Sequence, residues 1–93
     1  MRVTTSSGFV CDANDKIKND FRFVEALADM EGDDAGAMLK GQVNMLRLLL
    51  DKDGVKALYA HVAEPDGTVP VDKVTAEVLE IIQKLGEQKE IKN

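Results

Sequence analysis

Few residues in this chain are of the types that do chemistry, and their spacing decides what they can support. His61 is the only histidine and Cys11 the only cysteine. A zinc site takes three or four ligands drawn from Cys, His, Asp and Glu. One imidazole and one distant thiol do not supply them. On the helix that its neighbours predict, His61 lies near Ala57 and Tyr59, so spacing sets no carboxylate or second imidazole beside it. It reads as a surface or half-buried helix residue. A nucleophilic cysteine needs a helix N-terminus or an adjacent base. Cys11 instead ends the strand-like run Phe9-Val10-Cys11 and reads as a small apolar side chain.

Two acidic clusters, Asp29-Met-Glu31-Gly-Asp33-Asp34 and Asp51-Lys-Asp53-Gly54, invite a calcium reading. An EF-hand loop requires oxygen ligands at its first, third and fifth positions, a glycine at the sixth and a glutamate at the twelfth. Counted from Asp51, those last three positions hold Val55, Lys56 and Val62. The clusters read instead as helix ends, where carboxylates favour the dipole of the following helix by about 0.3 to 1 kcal/mol each. An acyl carrier would need a serine in Asp-Ser-Leu at a helix start, but the only serines, Ser6 and Ser7, sit in a turn. Paired carboxylates for acid–base work, a phosphate-cradling glycine loop and a Ser/His/Asp order are all missing. The sequence therefore predicts no catalytic residue, no metal ligand and no cofactor.

The elements that carry these residues are those of one small domain. Ninety-three residues of which 44% are hydrophobic, with two prolines, suffice for a single packed core. The formal charge of −5 is spread evenly, six basic against eight acidic residues up to position 50 and six against nine beyond it. Even acidity opposes phosphate binding, so nucleic acid is not an expected ligand. A lone cysteine makes no internal disulfide, and no signal-like segment or membrane-length apolar run is present. The expected setting is a reducing cytoplasm, with no membrane partner.

The fold class read from the pattern is mainly α, a small helical domain of about four helices preceded by a short N-terminal β-hairpin. Arg2-Val3-Thr4-Thr5 and Phe9-Val10-Cys11 flank Ser6-Ser7-Gly8 and predict a hairpin within residues 1–12. Alternation puts Val3 and Thr5 on one face, and sets Val10 opposite to Phe9 and Cys11. Such a hairpin is marginal alone and must pack on something apolar or pair with another chain. After a polar stretch from Asp12 to Asn19, a helical core is expected over 20–86. Asp20 suits an N-cap, with Phe21, Val24, Leu27 and Ala28 as the apolar face and Gly32 as a left-handed stop. A second helix from Asp34 has apolar positions at 38, 39, 43, 45, 46, 49 and 50, with a break or kink expected near Gly41. Asp51 caps a third, with Val55, Leu58, Tyr59 and Val62 on one side and a turn at Glu64-Pro65-Asp66-Gly67. Pro70 fits the first position of a fourth helix. Its face is Val71, Val74, Val78, Ile81, Ile82 and Leu85, and Gly86 ends it; Thr75 offers an alternative restart. Residues 87–93 are expected to fray.

Read in order, the residues resemble a known family. Thr4-Thr5-Ser6-Ser7-Gly8-Phe9 opens the likeness, followed by Phe23-Val24-Glu25-Ala26-Leu27-Ala28 and Leu46-Arg47-Leu48-Leu49-Leu50. It is clearest in Ala57-Leu58-Tyr59-Ala60-His61-Val62, Asp66-Gly67-Thr68-Val69-Pro70-Val71 and Val78-Leu79-Glu80-Ile81-Ile82. This layout, over about residues 3–85, is similar to the tail assembly chaperones of long-tailed (siphovirus-like) phages and prophages of Gram-positive bacteria. Gly41 and the acid-rich entry Asp51-Lys52-Asp53-Gly54 depart from that pattern.

The resemblance implies a protein that is not an enzyme, acts in the host bacterial cytoplasm and stays out of the mature virion. It implies binding to the tape measure protein, help in recruiting the tail tube protein, in a family where a longer version is often made by frameshifting, and a capacity for self-association. A tape measure helix presents apolar stripes that aggregate unless covered, and adaptable methionine and leucine side chains suit that task. Met38, Met45, Leu49, Leu58 and Ile82 are the candidate partner-binding residues. The competing class is a small acidic regulatory module, antitoxin-like or anti-repressor-like, that masks a basic partner.

Overall fold

Arg2–Thr4 (β1) and Val10–Asp12 (β2) pair antiparallel with Val3 opposite Cys11. The computed structural model describes residues 1–91, with side chains through residue 87. Strand alternation sends Val3, Thr5, Phe9, Cys11 and Ala13 inward and leaves Val10 outside. The connecting turn closes through Gly8 N–H to Thr5 O at 3.0 Å, with Gly8 at φ +92°, a conformation glycine adopts at little cost. The hairpin is tied to the helices at its far end, where Asn14 N–H donates to Leu49 O at 2.9 Å.

The stretch expected to be merely polar forms a 3-10 helix, Asp15–Asn19, started by the Asn14 side chain, which accepts from Lys16 N–H. Its single apolar residue, Ile17, is buried. One inward side chain in five is enough to seat a tight turn, and it leaves no periodic signal.

Helix α1, Phe21–Met30, begins at the predicted cap: Asp20 accepts from Arg22 N–H at 2.9 Å. Its buried face differs from the predicted one. Phe21 and Val24 are exposed, while Ala26 is buried and Phe23, Leu27 and Met30 pack against the core. Nor does Gly32 take a left-handed conformation; Glu31, in the right-handed region, closes the helix by donating to Leu27 O at 3.1 Å.

Helix α2, Ala35–Leu49, starts at Asp34 and runs unbroken through Gly36 and Gly41. No break occurs at Gly41, which serves a different purpose. A Cβ placed there would lie 2.6 Å from Asp29 Cβ and 2.8 Å from Ala26 O, so the missing side chain lets α2 lie directly on the backbone of α1. Of the predicted stripe, Met45, Leu46, Leu49 and Leu50 are buried and Met38, Leu39 and Val43 are exposed.

Helix α3, Lys52–Val62, is capped by Asp51, which accepts from Gly54 N–H at 2.7 Å. Leu58 and Val62 are buried and Tyr59 faces outward. The turn after it closes through Gly67 N–H to Glu64 O at 2.8 Å. Helix α4, Val71–Ile91, follows. Pro70 stands one residue before it and accepts its first helical hydrogen bond, from Val74 N–H at 3.2 Å. Thr75 does not restart the helix; its hydroxyl meets Val71 O and Gln42 Oε1, each at 2.9 Å. Val71 is exposed, while Val74, Val78, Ile81 and Leu85 form the buried row. The helix does not end at Gly86. It continues to Ile91, so the fraying expected from residue 87 onward is not found as far as the helix is described, and only residues 92 and 93 of that expected tail lie outside the described residues.

Met45, Leu49, Leu58, Val78, Ile81 and Leu85 are the largest fully buried side chains. Burying each contributes about 1.5 to 3 kcal/mol relative to leaving it in water. They belong to one cluster that takes in the hairpin and all four helices. The protein is thus a small mainly α domain with an N-terminal hairpin laid on it. Among the described residues no helix is long and apolar enough to cross a membrane.

Candidate functional site

The five residues singled out from the sequence do not form one surface. Met45, Leu49 and Leu58 are fully buried, because α2 spends the apolar positions of its C-terminal part, and α3 those of its middle, on the core. Ile82 is half-buried against that core, and Met38 alone is well exposed. A small domain has too few large apolar side chains to hold such residues in reserve.

A polar cluster that the sequence does not advertise fastens the hairpin turn to α3 and α4. The Thr5 hydroxyl donates to Glu77 Oε1 and the Ser7 hydroxyl to Glu77 Oε2, both at 2.7 Å. Ser6 donates to Glu80 twice, from its backbone N–H at 2.7 Å and its hydroxyl at 2.9 Å. Thr5 and Glu77 are buried, so the carboxylate has exchanged water for two hydroxyl donors. Its position gave one sign, since Glu77 lies three residues after Val74 and four before Ile81, on the apolar row of α4.

His61 Nε2 stands 3.0 Å from Ser7 Oγ, and its ring centroid is 5.4 Å from that of Phe9. The pair looks like the start of a catalytic set, but the protons run the other way. Ser7 has one hydroxyl proton and gives it to Glu77, so the imidazole donates to Ser7 rather than taking its proton. A serine nucleophile needs the reverse polarity and a carboxylate on the other ring nitrogen. As arranged, the cluster is a clasp. Cys11 is buried beneath the hairpin, and burial, with lesser help from Asp12 and Glu77, raises its thiol above the ordinary cysteine range. It is placed as an apolar residue. Among the described residues no group of three or more His, Cys, Asp or Glu side chains is placed to hold a metal ion.

Several large apolar side chains are left exposed. Phe21 and Val24 on α1, Met38, Leu39 and Val43 on α2, Tyr59 on α3, and Val71 and Leu79 on α4 stand in solvent. Two open grooves have mainly apolar linings. One, of about 390 Å³, runs between α1 and α4 past Phe23, Leu27 and Ile82, and Lys18 crosses its edge to donate to Leu85 O at 3.3 Å. The other, of about 480 Å³, lies between α2 and α3 on Leu46, Leu50 and Val55, walled by Val43 and Tyr59. Its rim carries Arg47, Lys52 and Lys56 against one acid, Asp51.

Compared with known proteins, the chain matches no protein-family model, no curated protein and no solved structure.

Proposed function

We propose that this protein is a non-enzymatic tail assembly chaperone of a long-tailed phage or prophage. It binds amphipathic helical segments of the tape measure protein in the host cytoplasm and keeps them soluble while the tail tube assembles around them. The observation that carries the reading is the outward apolar surface on α1, α2 and α3. Phe21, Val24, Leu39, Val43 and Tyr59 are exposed on a domain that has already filled its core. Isolated exposed apolar residues are ordinary, but two of these, Val43 and Tyr59, line an open, mainly apolar groove between α2 and α3, and an apolar groove on a surface is a mark of a protein-binding site. The resemblance in the hairpin, third helix and fourth helix supplies the identity of the partner. The charge of −5 keeps a loaded complex soluble.

A module that masks a basic partner would set acids around its apolar surface. The groove between α2 and α3 is rimmed by bases instead, which favours the chaperone reading. The test is co-expression with overlapping tape measure fragments: the chain should move at least one fragment from the insoluble to the soluble fraction and co-purify with it.

A further inference from the structure

We propose that the groove between α2 and α3 is the docking site for an amphipathic helix whose apolar stripe is flanked by carboxylates. Its floor, Leu46 and Leu50, is buried, and Val43 and Tyr59 stand exposed on its walls. The rim supplies the selectivity. Arg47, Lys52 and Lys56 line this groove against a single acid in a chain of net charge −5, Arg47 also reaching the neighbouring grooves beside α1 and the hairpin. Among the described residues none of the three makes an ion pair. The one acid in the lining, Asp51, already accepts from Gly54 N–H at 2.7 Å. Lys52, moreover, occupies the first position of α3, where the helix dipole disfavours a cation. Unpaired cations beside an apolar floor complement a helix that presents leucine-like side chains at three- and four-residue spacing with Glu or Asp on its edges.

The groove assignment rests on the chaperone reading only for who supplies that helix. The experiment uses the full chain and two labelled synthetic peptides with the same leucine stripe, one flanked by glutamates and one by lysines, followed by fluorescence anisotropy. The glutamate peptide should bind at least tenfold more tightly than the lysine peptide. The double substitution Lys52→Glu, Lys56→Glu should reverse that order, and Val43→Asp should weaken both peptides by tenfold or more. Leu79→Asp, on α4, should change neither, and thermal melts of all variants identify any loss of fold. Equal binding of the two peptides, binding of neither, or a preference untouched by the lysine reversal would overturn the proposal. So would a dimer of the chain alone that Val43→Asp dissolves, since a second copy would then occupy the groove. If tape measure fragments are solubilised equally by wild type and by the groove variants, the groove assignment fails and the chaperone reading stands. If the glutamate peptide binds as described and no tape measure fragment is solubilised, the reverse holds.

Discussion

Thr5 in the hairpin turn and Glu77 in the middle of α4, seventy-two positions apart, share a buried hydrogen bond of 2.7 Å. With the second bond from Ser7, also 2.7 Å, it is the only donor set that this buried carboxylate has among the described residues. Replacing Thr5 by Val keeps the shape and removes one donor. The expected cost is about 1 to 3 kcal/mol, the penalty for leaving a buried acceptor short of a partner. The urea midpoint should fall with the slope unchanged, and Ser6→Ala, on the exposed Glu80 side, should cost distinctly less.

The same clasp makes the hairpin part of the fold rather than an appendage. Val3, Phe9 and Cys11 enter the core cluster, and each large side chain lost from it forfeits roughly 1.5 to 3 kcal/mol. Deletion of residues 1–11 should therefore lower the thermal midpoint markedly. An unchanged midpoint together with an unchanged mass by light scattering would contradict this.

Two glycines of α2 predict opposite signs. At Gly41 a methyl group would meet Asp29 Cβ at 2.6 Å, Ala26 O at 2.8 Å and Met30 N at 2.9 Å, and backbone cannot step aside. Gly41→Ala should destabilise by about 1 to 3 kcal/mol through overpacking, despite the better helix propensity of alanine. At Gly36 the nearest atom is Asp34 Oδ1 at 3.6 Å, an ordinary contact. Gly36→Ala should stabilise by up to about 1 kcal/mol. Chemical denaturation of the two variants beside wild type decides both.

That contrast shows what the sequence could convey. Helix starts were legible because Asp20, Asp34 and Asp51 act locally, each accepting from an amide two or three residues on. The hairpin faces were legible because alternation fixes which side of a strand is buried. In the sequence Gly41 reads as a weakness because its reason lies in another helix. On α1 two stripes compete, one through Phe21 and Val24 and one through Phe23, Ala26 and Met30; only the approach of α2 selects the second. The same ambiguity put Met45, Leu49 and Leu58 among partner-binding candidates: an apolar stripe reads alike whether it meets the core or a ligand. The clasp and the basic-rimmed groove were illegible for the opposite reason, since each joins residues from separate elements.

Acid should act on the start of α1. Hydrogen bonds from Arg22, first from its side chain and then from its backbone, lower the Asp20 carboxyl from 3.8 to about 2. A depressed carboxyl contributes stability that is present above its unfolded pKa and lost as pH falls through its folded one. The sensitive window therefore runs from about 4 down to about 2. Carboxyl titration by NMR should find the Asp20 midpoint near 2, and Asp20→Asn, which keeps a capping oxygen, should flatten the stability profile in that window. A midpoint near 3.8 would contradict the contact with Arg22.

Apolar surface on this domain is proposed to cover a tape measure helix. The most direct measurement is capture of the tape measure fragment that the chain solubilises, compared at about 50 and about 500 mM salt, a range over which screening weakens exposed charge pairs and leaves burial largely intact. The predicted result is a soluble complex at both, weakened at most about tenfold by salt, as a rim of a few exposed pairs worth roughly 0.2 to 1 kcal/mol each would give. Failure of every fragment to gain solubility, or capture that vanishes at high salt, would contradict it.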